Sequence, residues 1–275
     1  MPSGADDGGA GPHVSDARRR LEAIRSSLLR EMTERLSRLD QSGGRLVSEQ
    51  KALDNARRIR GEVLELLRED GLPVTVGIAE SRVVDAVDAA LRLMPRAVSK
   101  EAQGARIDVT FDAEAKASLA RSVSGVLDEV ALAFKEAALE IRKAIDVGVN
   151  TGSSLKDVTE DVAKALQATF NRSANVVDTA IRMAAQKAIL DKGQAAADEL
   201  GVELVWEYSG TSDLKTRPFC ARSLGKAFTR AAMNALENDS GLPAATARGG
   251  FNCRHFWTSR IRDEAEAEGI EVVDG

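Results

Sequence analysis

The sequence contains few cysteines, prolines and aromatic residues: two cysteines, six prolines and 4% aromatics in 275 residues. Two cysteines are too few for a disulfide framework, which excludes the small cross-linked secreted class. Charged residues interrupt every apolar run before the roughly 18 residues that a membrane-spanning helix needs, so no membrane partner is expected. The first residues, with Asp6 and Asp7 among glycines, form no apolar signal region, and this predicts that the chain is not exported.

The residues that are abundant favour helices. Hydrophobic residues make up 43% of the chain, enough for a real core, and Ala, Leu, Val, Glu, Lys and Arg dominate. The aromatic residues are concentrated, because seven of the ten lie between Trp206 and Trp257. We therefore predict a mainly α fold, with long antiparallel and coiled-coil-like helices and a small C-terminal α+β module.

The N-terminal half is predicted to be an elongated helical region over residues 15–150, preceded by a flexible tail over residues 1–14. Ser15 is a candidate N-cap for a first helix, which Ser42-Gly43-Gly44 ends. A second helix runs to Asp70, where Gly71-Leu72-Pro73 stops it. The β-branched runs 74–78 and 107–111 are predicted to pair as short strands.

Further along, one very long helix is predicted from Ala113 to Val147, broken by Gly148 and Gly152. A second domain follows over residues 151–275. Its helices lie within 154–200, divided near residues 171–173, with a capping box at Ser154 and Asp157 and a C-cap at Gly201. The compact Cys/His/aromatic module occupies residues 201–275, and strands are predicted over 202–208 and 270–273.

Cys220, Cys253 and His255 include both cysteines and one of the two histidines of the chain. Three interpretations of this set are open. The residues could hold zinc, with Asp213 as the nearest candidate for a fourth ligand. The two cysteines could form a disulfide closing a loop of about thirty residues, worth roughly 3 kcal/mol. They could also be small buried hydrophobes beside Trp and Phe.

Catalysis is not predicted. His255 with either cysteine could form a thiolate–imidazole pair, but the sequence indicates no third group to orient it. Gly210-Thr211-Ser212-Asp213 lacks the Gly-Lys-Ser/Thr ending of a phosphate loop, and no dinucleotide glycine fingerprint is present. We therefore predict a protein that is not an enzyme and assign no catalytic residue.

The C-terminal module is basic, with nine Lys or Arg against four Asp or Glu between Val205 and Arg262. Seven of these residues are candidate contacts to nucleic acid or an acidic partner: Lys215, Arg222, Lys226, Arg230, Arg248, Arg260 and Arg262. The alternative is a solvated surface neutralised by the acidic segment from Asp263 to Asp274. Arg254 is distinct, since its planar fork could pair with Asp213 and join the two halves of the module.

The spacing of several of these residues resembles the C-terminal signature of the Mu F-like minor head proteins of tailed bacteriophages. Trp206 lies on the predicted strand, and Asp213, Thr216, Arg217 and Cys220 match an Asp-x-x-Thr-Arg-x-x-Cys stretch. Gly225 matches a following glycine, and Asn252-Cys253-Arg254 match the closing segment. His255 stands where that family often has its final cysteine, and Gly249-Gly250-Phe251 replaces a histidine-bearing loop. The resemblance covers roughly residues 154–257.

The resemblance implies a minor component of a phage head. Such a protein would bind the portal protein and the major capsid or scaffolding protein, in several copies per particle. It would assist head assembly and the packaging or retention of double-stranded DNA. Its place would be the capsid interior near the portal vertex, and the host cytoplasm during assembly. Two other functions are open: a head–tail connector or adaptor, and a thiol- and histidine-dependent enzyme or toxin-like effector.

Overall fold

Residues 10–92 and 111–275 are described by a computed structural model. As predicted, the chain is mainly α-helical and carries a small sheet near its C-terminus. The principal helices are α1 (Ala10–Leu36), α2 (Gln50–Leu66), α3 (Leu72–Leu91), α4 (Ala113–Arg121), α5 (Ser124–Thr151) and α6 (Leu155–Leu200). Among the described helices, none combines the length and the apolar character needed to cross a bilayer.

Two units can be distinguished within the chain. The first, called here the helical unit, comprises Asp16–Glu80 and Gly125–Val177. The second, called the sheet-bearing unit, comprises Met1–Ser15, Ser81–Ser124 and Asp178–Gly275, of which residues 1–9 and 93–110 lie outside the described part. This grouping differs from the boundary near residue 150 expected from the sequence, because residues 154–177 belong with the earlier helices.

The start of the chain differs from the predicted tail. Residues 10–14 already belong to α1, and Ser15 lies inside this helix, where its hydroxyl donates to the carbonyl of Gly11. Pro12 is compatible with this helix because it occupies the first turn, where the missing N–H would have no partner. After α1 a tight hairpin joins β1 (Gln41–Ser42) to β2 (Arg45–Leu46), since Gly43 and Gly44 both adopt positive φ angles.

The predicted strand at 74–78 is wrong, because these residues lie within α3. The predicted stop at Gly71 is also wrong: a π-helical turn, Leu67–Gly71, connects α2 directly to α3. Gly71 has a packing function instead. A Cβ atom there would lie 2.7 Å from the ring of Phe134 and 3.2 Å from Leu28. Residues 107–110 of the proposed partner strand lie outside the described part of the chain.

The single helix predicted from Ala113 to Val147 is divided into α4 and α5. Asp112 caps α4 by accepting from the backbone N–H of Ala115 at 2.7 Å. The division lies at Ser122, whose hydroxyl donates to the carbonyl of Leu119 and so competes with the helical pattern. Gly148 does not break α5. A Cβ atom there would lie 2.2 Å from a Val158 methyl group, so this glycine permits a close crossing of α5 and α6.

The ends of α5 and α6 follow from recognisable caps. Gly152, with φ +64°, ends α5, and the Ser153 N–H returns to the Gly148 carbonyl at 2.9 Å. The predicted capping box is confirmed, since the Asp157 N–H donates to the Ser154 hydroxyl at 3.1 Å. From there α6 continues for 46 residues. No break occurs at 171–173, where Arg172 instead pairs with Glu129 and Glu136 of α5.

The described residues of the sheet-bearing unit form a sheet of four strands in the order β5-β3-β4-β6. They are β3 (Leu204–Ser209), β4 (Ala227–Phe228), β5 (Phe256–Ile261) and β6 (Val272–Val273). Strand β3 pairs antiparallel with β4 and β5, whereas β4 and β6 run parallel. Four short helices connect them: α7 (Pro218–Ser223), α8 (Arg230–Ala235), α9 (Ala244–Ala247) and α10 (Arg262–Ala267).

Two apolar groups lie against this sheet. Val205 packs with Ala227 and Ala265 in a small buried cluster. Leu204, Trp206 and Tyr208 alternate with these positions along β3 and are also buried, so both faces of the strand are covered. Tyr208 contacts Trp257 and Phe219 at centroid distances of 4.5 and 5.6 Å, and this aromatic group forms the floor of the site described next.

Candidate functional site

Residues 213–220 and residues 252–255, called here the two motif halves, lie against each other at the end of β3. Cys220 lies on α7 and Cys253 in the loop that precedes β5, and their Sγ atoms are 3.8 Å apart. Both are free thiols, Cys220 buried and Cys253 partly buried. Pro218 begins α7, where its missing N–H has no cost, and the next N–H, of Phe219, donates to Asp239 at 2.9 Å. Both the zinc and the disulfide interpretations of these cysteines require such proximity.

His255 completes the cluster. Its Nε2 lies 3.1 Å from the carbonyl oxygen of Thr211, and its Nδ1 lies 3.5 Å from Cys253 Sγ. Because a carbonyl only accepts hydrogen bonds, the ring proton resides on Nε2 and the Nδ1 lone pair faces the thiol. The ring also stacks on Tyr208, with centroids 5.5 Å apart. We call Cys220, Cys253 and His255 the Cys/His cluster.

Tyr208 is the side chain that bridges the two sulfurs. Its hydroxyl oxygen lies 3.4 Å from Cys220 Sγ and 3.5 Å from Cys253 Sγ. The alternation of β3 places it two residues after Trp206, on the same face of the strand. The residue was not predicted as part of the site. The signals that could have identified it are this strand position and the fact that it is the single tyrosine of the chain.

Two glycines allow the backbone to approach the cluster closely. A Cβ atom at Gly249 would lie 2.3 Å from Cys220 Sγ and 3.0 Å from Cys253 Sγ. A Cβ atom at Gly210 would lie 2.5 Å from the ring of His255, and its φ of +149° also favours glycine. The cluster is therefore enclosed by backbone that no larger residue could supply without displacement.

Two arginines hold the loop that carries Cys253. Arg217 donates to the carbonyl oxygens of Gly249 and Phe251, the second at 2.6 Å. Arg248 is buried and donates to the carbonyl of His255 at 3.2 Å and to Gln186 on α6 at 3.1 Å. These bonds fix the loop from opposite ends, since a planar guanidinium can satisfy two acceptors at once.

The expected pairing of Arg254 with Asp213 is confirmed. The two side chains form a bidentate ion pair with N–O distances of 2.8 and 2.7 Å. Asp213 also accepts from the Lys215 N–H, and its own N–H donates to the Thr216 hydroxyl, both at 2.8 Å. Asp213 is consequently not a fourth ligand of the Cys/His cluster, because both of its oxygens are engaged by Arg254.

The other motif residues shape the backbone. Trp206 is buried and pairs across the sheet with Phe228 and Ser259. Gly225, with φ +76°, turns the chain between α7 and β4, and its N–H donates to the Tyr208 carbonyl at 2.9 Å. Asn252 adopts a left-handed conformation with φ +56°, which asparagine tolerates better than most residues, and this leads the chain into Cys253.

The environment changes the acidity of the clustered groups. Burial acts to raise the pKa of Cys253, but hydrogen bonds from Tyr208 and from the backbone at His255 and Gly249 outweigh it, so the pKa lies below its usual range. Burial raises the pKa of the Cys220 thiol. Burial also lowers the pKa of His255, which keeps the imidazole neutral near pH 7. The Tyr208 phenol keeps its proton because burial raises its pKa.

Most of the predicted nucleic-acid contacts are engaged within the protein. Lys226 and Arg260 pair with Glu271 and Glu268, and Arg262 pairs with Asp274, all of them acids of the C-terminal segment. Arg222 lies 3.6 Å from Asp239. These residues therefore fit the second interpretation, a surface neutralised by the acidic segment, better than the first, a contact surface for nucleic acid. Lys215 is exposed beside Leu214, which is itself fully exposed.

Two members of that basic set are less accessible, Arg248 being buried and Arg230 partly buried. Arg248 is only 5% exposed. Arg230 pairs with Asp191 of α6, and burial lowers the pKa of its guanidinium. A desolvated guanidinium must be paired, which explains both arrangements. A sequence does not distinguish an arginine held within the protein in this way from one on its surface.

Comparison with known proteins gives no independent identification. No protein-family model matches the chain, and no curated protein or solved structure matches it significantly.

Proposed function

We propose that this chain is a non-enzymatic minor head protein of a tailed bacteriophage, which assists head assembly and the packaging or retention of DNA. One observation carries the proposal. The two segments that resemble the Mu F-like signature lie against each other, through the Cys220–Cys253 contact and the Arg254–Asp213 ion pair. A chance match of two separated segments would not require them to meet in space.

Helix α5 and the sheet-bearing unit each have features that suit such a role. Helix α5, with 28 residues, is about 42 Å long and offers an extended surface for a portal or capsid protein. The sheet-bearing unit offers a rigid element, because its loops are fixed by arginines and by closely packed glycines. The proposed partners are the portal protein and the major capsid or scaffolding protein. The proposed location is the capsid interior near the portal vertex, with several copies in each particle.

The test is a comparison of phage heads made with and without the protein. A nonsense mutation in its gene should lower the DNA content and the infectious yield of the particles. The double variant Asp213→Ala/Arg254→Ala should lower them as well if the joined motif halves are required. Arg57→Ala is a matched control, since it breaks an exposed ion pair with Asp54 in α2. Normal infectious yield from the nonsense mutant would contradict the proposal.

The position of the protein separates this function from that of a connector. Cryo-electron microscopy of the particles should show density inside the capsid near the portal. A ring outside the capsid, below the portal, would identify a head–tail connector or adaptor instead.

A thiol-dependent enzyme is the second candidate, and the short distance of 3.5 Å between Cys253 Sγ and His255 Nδ1 favours it. Iodoacetamide distinguishes the two. A catalytic thiolate should be alkylated quickly near neutral pH, whereas a structural cysteine should react slowly in the folded protein. We expect slow modification, and Cys220, being buried, should be the slower of the two.

A further inference from the structure

We propose that Cys220, Cys253 and His255 bind one zinc ion. The ligand atoms of these three residues all lie within 4.8 Å of one another. Thiolates and a neutral imidazole are the ligands that zinc prefers in proteins, and two thiolates with one imidazole form a recognised set of three. The proposal is independent of the phage function, because it concerns only the chemistry of the Cys/His cluster.

Two of the three distances between ligand atoms fit tetrahedral coordination, and the third, between Cys220 and His255, is at most 4.8 Å. With zinc–sulfur bonds of about 2.3 Å and zinc–nitrogen bonds of about 2.0 Å, two sulfurs lie about 3.8 Å apart and a sulfur and a nitrogen about 3.5 Å apart. The Cys220 Sγ–Cys253 Sγ distance is 3.8 Å and the Cys253 Sγ–His255 Nδ1 distance is 3.5 Å. Two edges of the tetrahedron are thus already at their expected lengths.

The histidine is oriented as a metal ligand. Metal-bound histidines usually donate their second ring N–H to a carbonyl or carboxylate, which fixes the tautomer. Here Nε2 donates to the Thr211 carbonyl at 3.1 Å and leaves the Nδ1 lone pair toward Cys253. The same ring is held by stacking on Tyr208.

The surroundings keep the three ligands converged. Gly249 and Gly210 bring the backbone so close that a Cβ atom at either position would lie within 2.5 Å of a ligand side chain. Arg217 fixes the loop before Cys253, and Arg248 fixes the carbonyl of His255. Three protein ligands leave one position of the tetrahedron for a water molecule or an exchangeable ligand, because Asp213 is held by Arg254.

The first test measures metal binding by the full-length protein under reducing conditions. Elemental analysis should find one zinc ion per chain. Replacement of zinc by Co²⁺ should give the intense visible absorption of tetrahedral cobalt and a near-ultraviolet sulfur-to-cobalt charge-transfer band. A reduced, folded protein that retains no zinc and gives no cobalt–thiolate band would overturn the proposal, and this measurement needs no variant.

The second test assigns the ligands. The Cys253→Ser and Cys220→Ser variants should each retain no zinc or give a weaker charge-transfer band with cobalt. The His255→Ala variant should bind zinc at least about tenfold more weakly. His13→Ala is the matched control, because His13 is the other histidine of the chain and lies in α1. Circular dichroism confirms that each variant is folded. Zinc content that is unchanged in both cysteine variants would contradict the assignment.

Discussion

At the scale of single residues, the hydroxyl of Tyr208 lies within hydrogen-bonding distance of both thiols. It contributes to the lowered pKa of Cys253 by hydrogen bonding to the thiolate. Tyr208→Phe removes this bond, so we expect the pKa of Cys253 to rise toward its usual value. The change also removes about 0.5–1.5 kcal/mol of stability, the net value of a typical hydrogen bond.

The measurement is the pH dependence of iodoacetamide modification at Cys253, followed by mass spectrometry in metal-free protein. The rate at neutral pH should fall in the variant, because less thiolate is present. A profile that is identical in the variant and the wild-type protein would show that the hydroxyl does not stabilise the thiolate.

The ion pair between Asp213 and Arg254 predicts a dependence of stability on pH. The hydrogen bond from Arg254 holds the pKa of Asp213 well below its usual value of about 4. A carboxyl group with a lowered folded-state pKa stabilises the protein above its unfolded-state pKa, and this contribution disappears as the pH falls through the folded-state pKa. Asp213→Asn should therefore lower the Tm at pH 7, because the Asp213–Arg254 ion pair is formed at that pH even though salt screens it.

The difference in Tm between wild type and Asp213→Asn should shrink as the pH is lowered below about 4. Differential scanning calorimetry from pH 2 to pH 7 provides the comparison. Arg57→Ala, which breaks another exposed ion pair, controls for general charge effects. A constant difference over the whole pH range would contradict the proposed role of Asp213.

At the scale of helices and strands, the crossing of α5 and α6 depends on Gly148. Gly148→Ala places a Cβ atom 2.2 Å from a Val158 methyl group, so we expect a loss of about 1–3 kcal/mol from overpacking. Chemical denaturation measures the free energy of unfolding. Adding Val158→Ala should restore part of the loss, because it removes the opposing methyl groups.

Gly125→Ala is the matched control in the same helix. A Cβ atom at Gly125 meets nothing within 4 Å, and alanine is favoured over glycine inside a helix by up to about 1 kcal/mol. This control should be neutral or stabilising. If both glycine variants behave alike, the close approach at Gly148 is not the cause.

Two helix ends were accessible to sequence reasoning. The capping box at Ser154 and the C-cap at Gly201 depend on local hydrogen bonds, which neighbouring residues determine. The strand over residues 202–208 was also predicted, and it corresponds to β3. The errors at Gly71 and Gly148 have a different origin. A glycine that relieves a tertiary contact and a glycine that ends a helix look the same in a sequence, and only Phe134 and Val158 distinguish them here.

The candidate site shows the same limit. The Asp213–Arg254 pairing and the meeting of the two cysteines could be expected from residue types and from the resemblance of the two segments. The roles of Tyr208, Arg248 and Gly249 could not, because each depends on which distant segment lies beside it. Long-range contacts of this kind carry no local sequence signal.

At the scale of the whole molecule, the arrangement of charge predicts weak binding to DNA. The chain has a net charge of −5, and most of the predicted basic contacts are paired with its own acids. We expect binding to duplex DNA no tighter than about 10⁻⁶ M at physiological salt, which is the range of non-specific association.

Fluorescence anisotropy with a labelled duplex at two salt concentrations measures this affinity. Lys215→Glu should weaken this non-specific DNA binding further, since Lys215 is exposed in the turn between β3 and α7. Nanomolar affinity with a steep salt dependence would contradict the expectation. It would instead support the prediction that the basic residues contact packaged DNA.

Arg217 offers a way to find distant relatives. It is the N-cap residue of α7 and lies three residues before Cys220, so one short segment carries both the thiol and the guanidinium that holds the opposite loop. A search that requires Arg-x-x-Cys, then Gly-x-x-x-Cys-x-His after a gap of free length, would follow the geometry of the site and would not depend on the sequences of the helices around it.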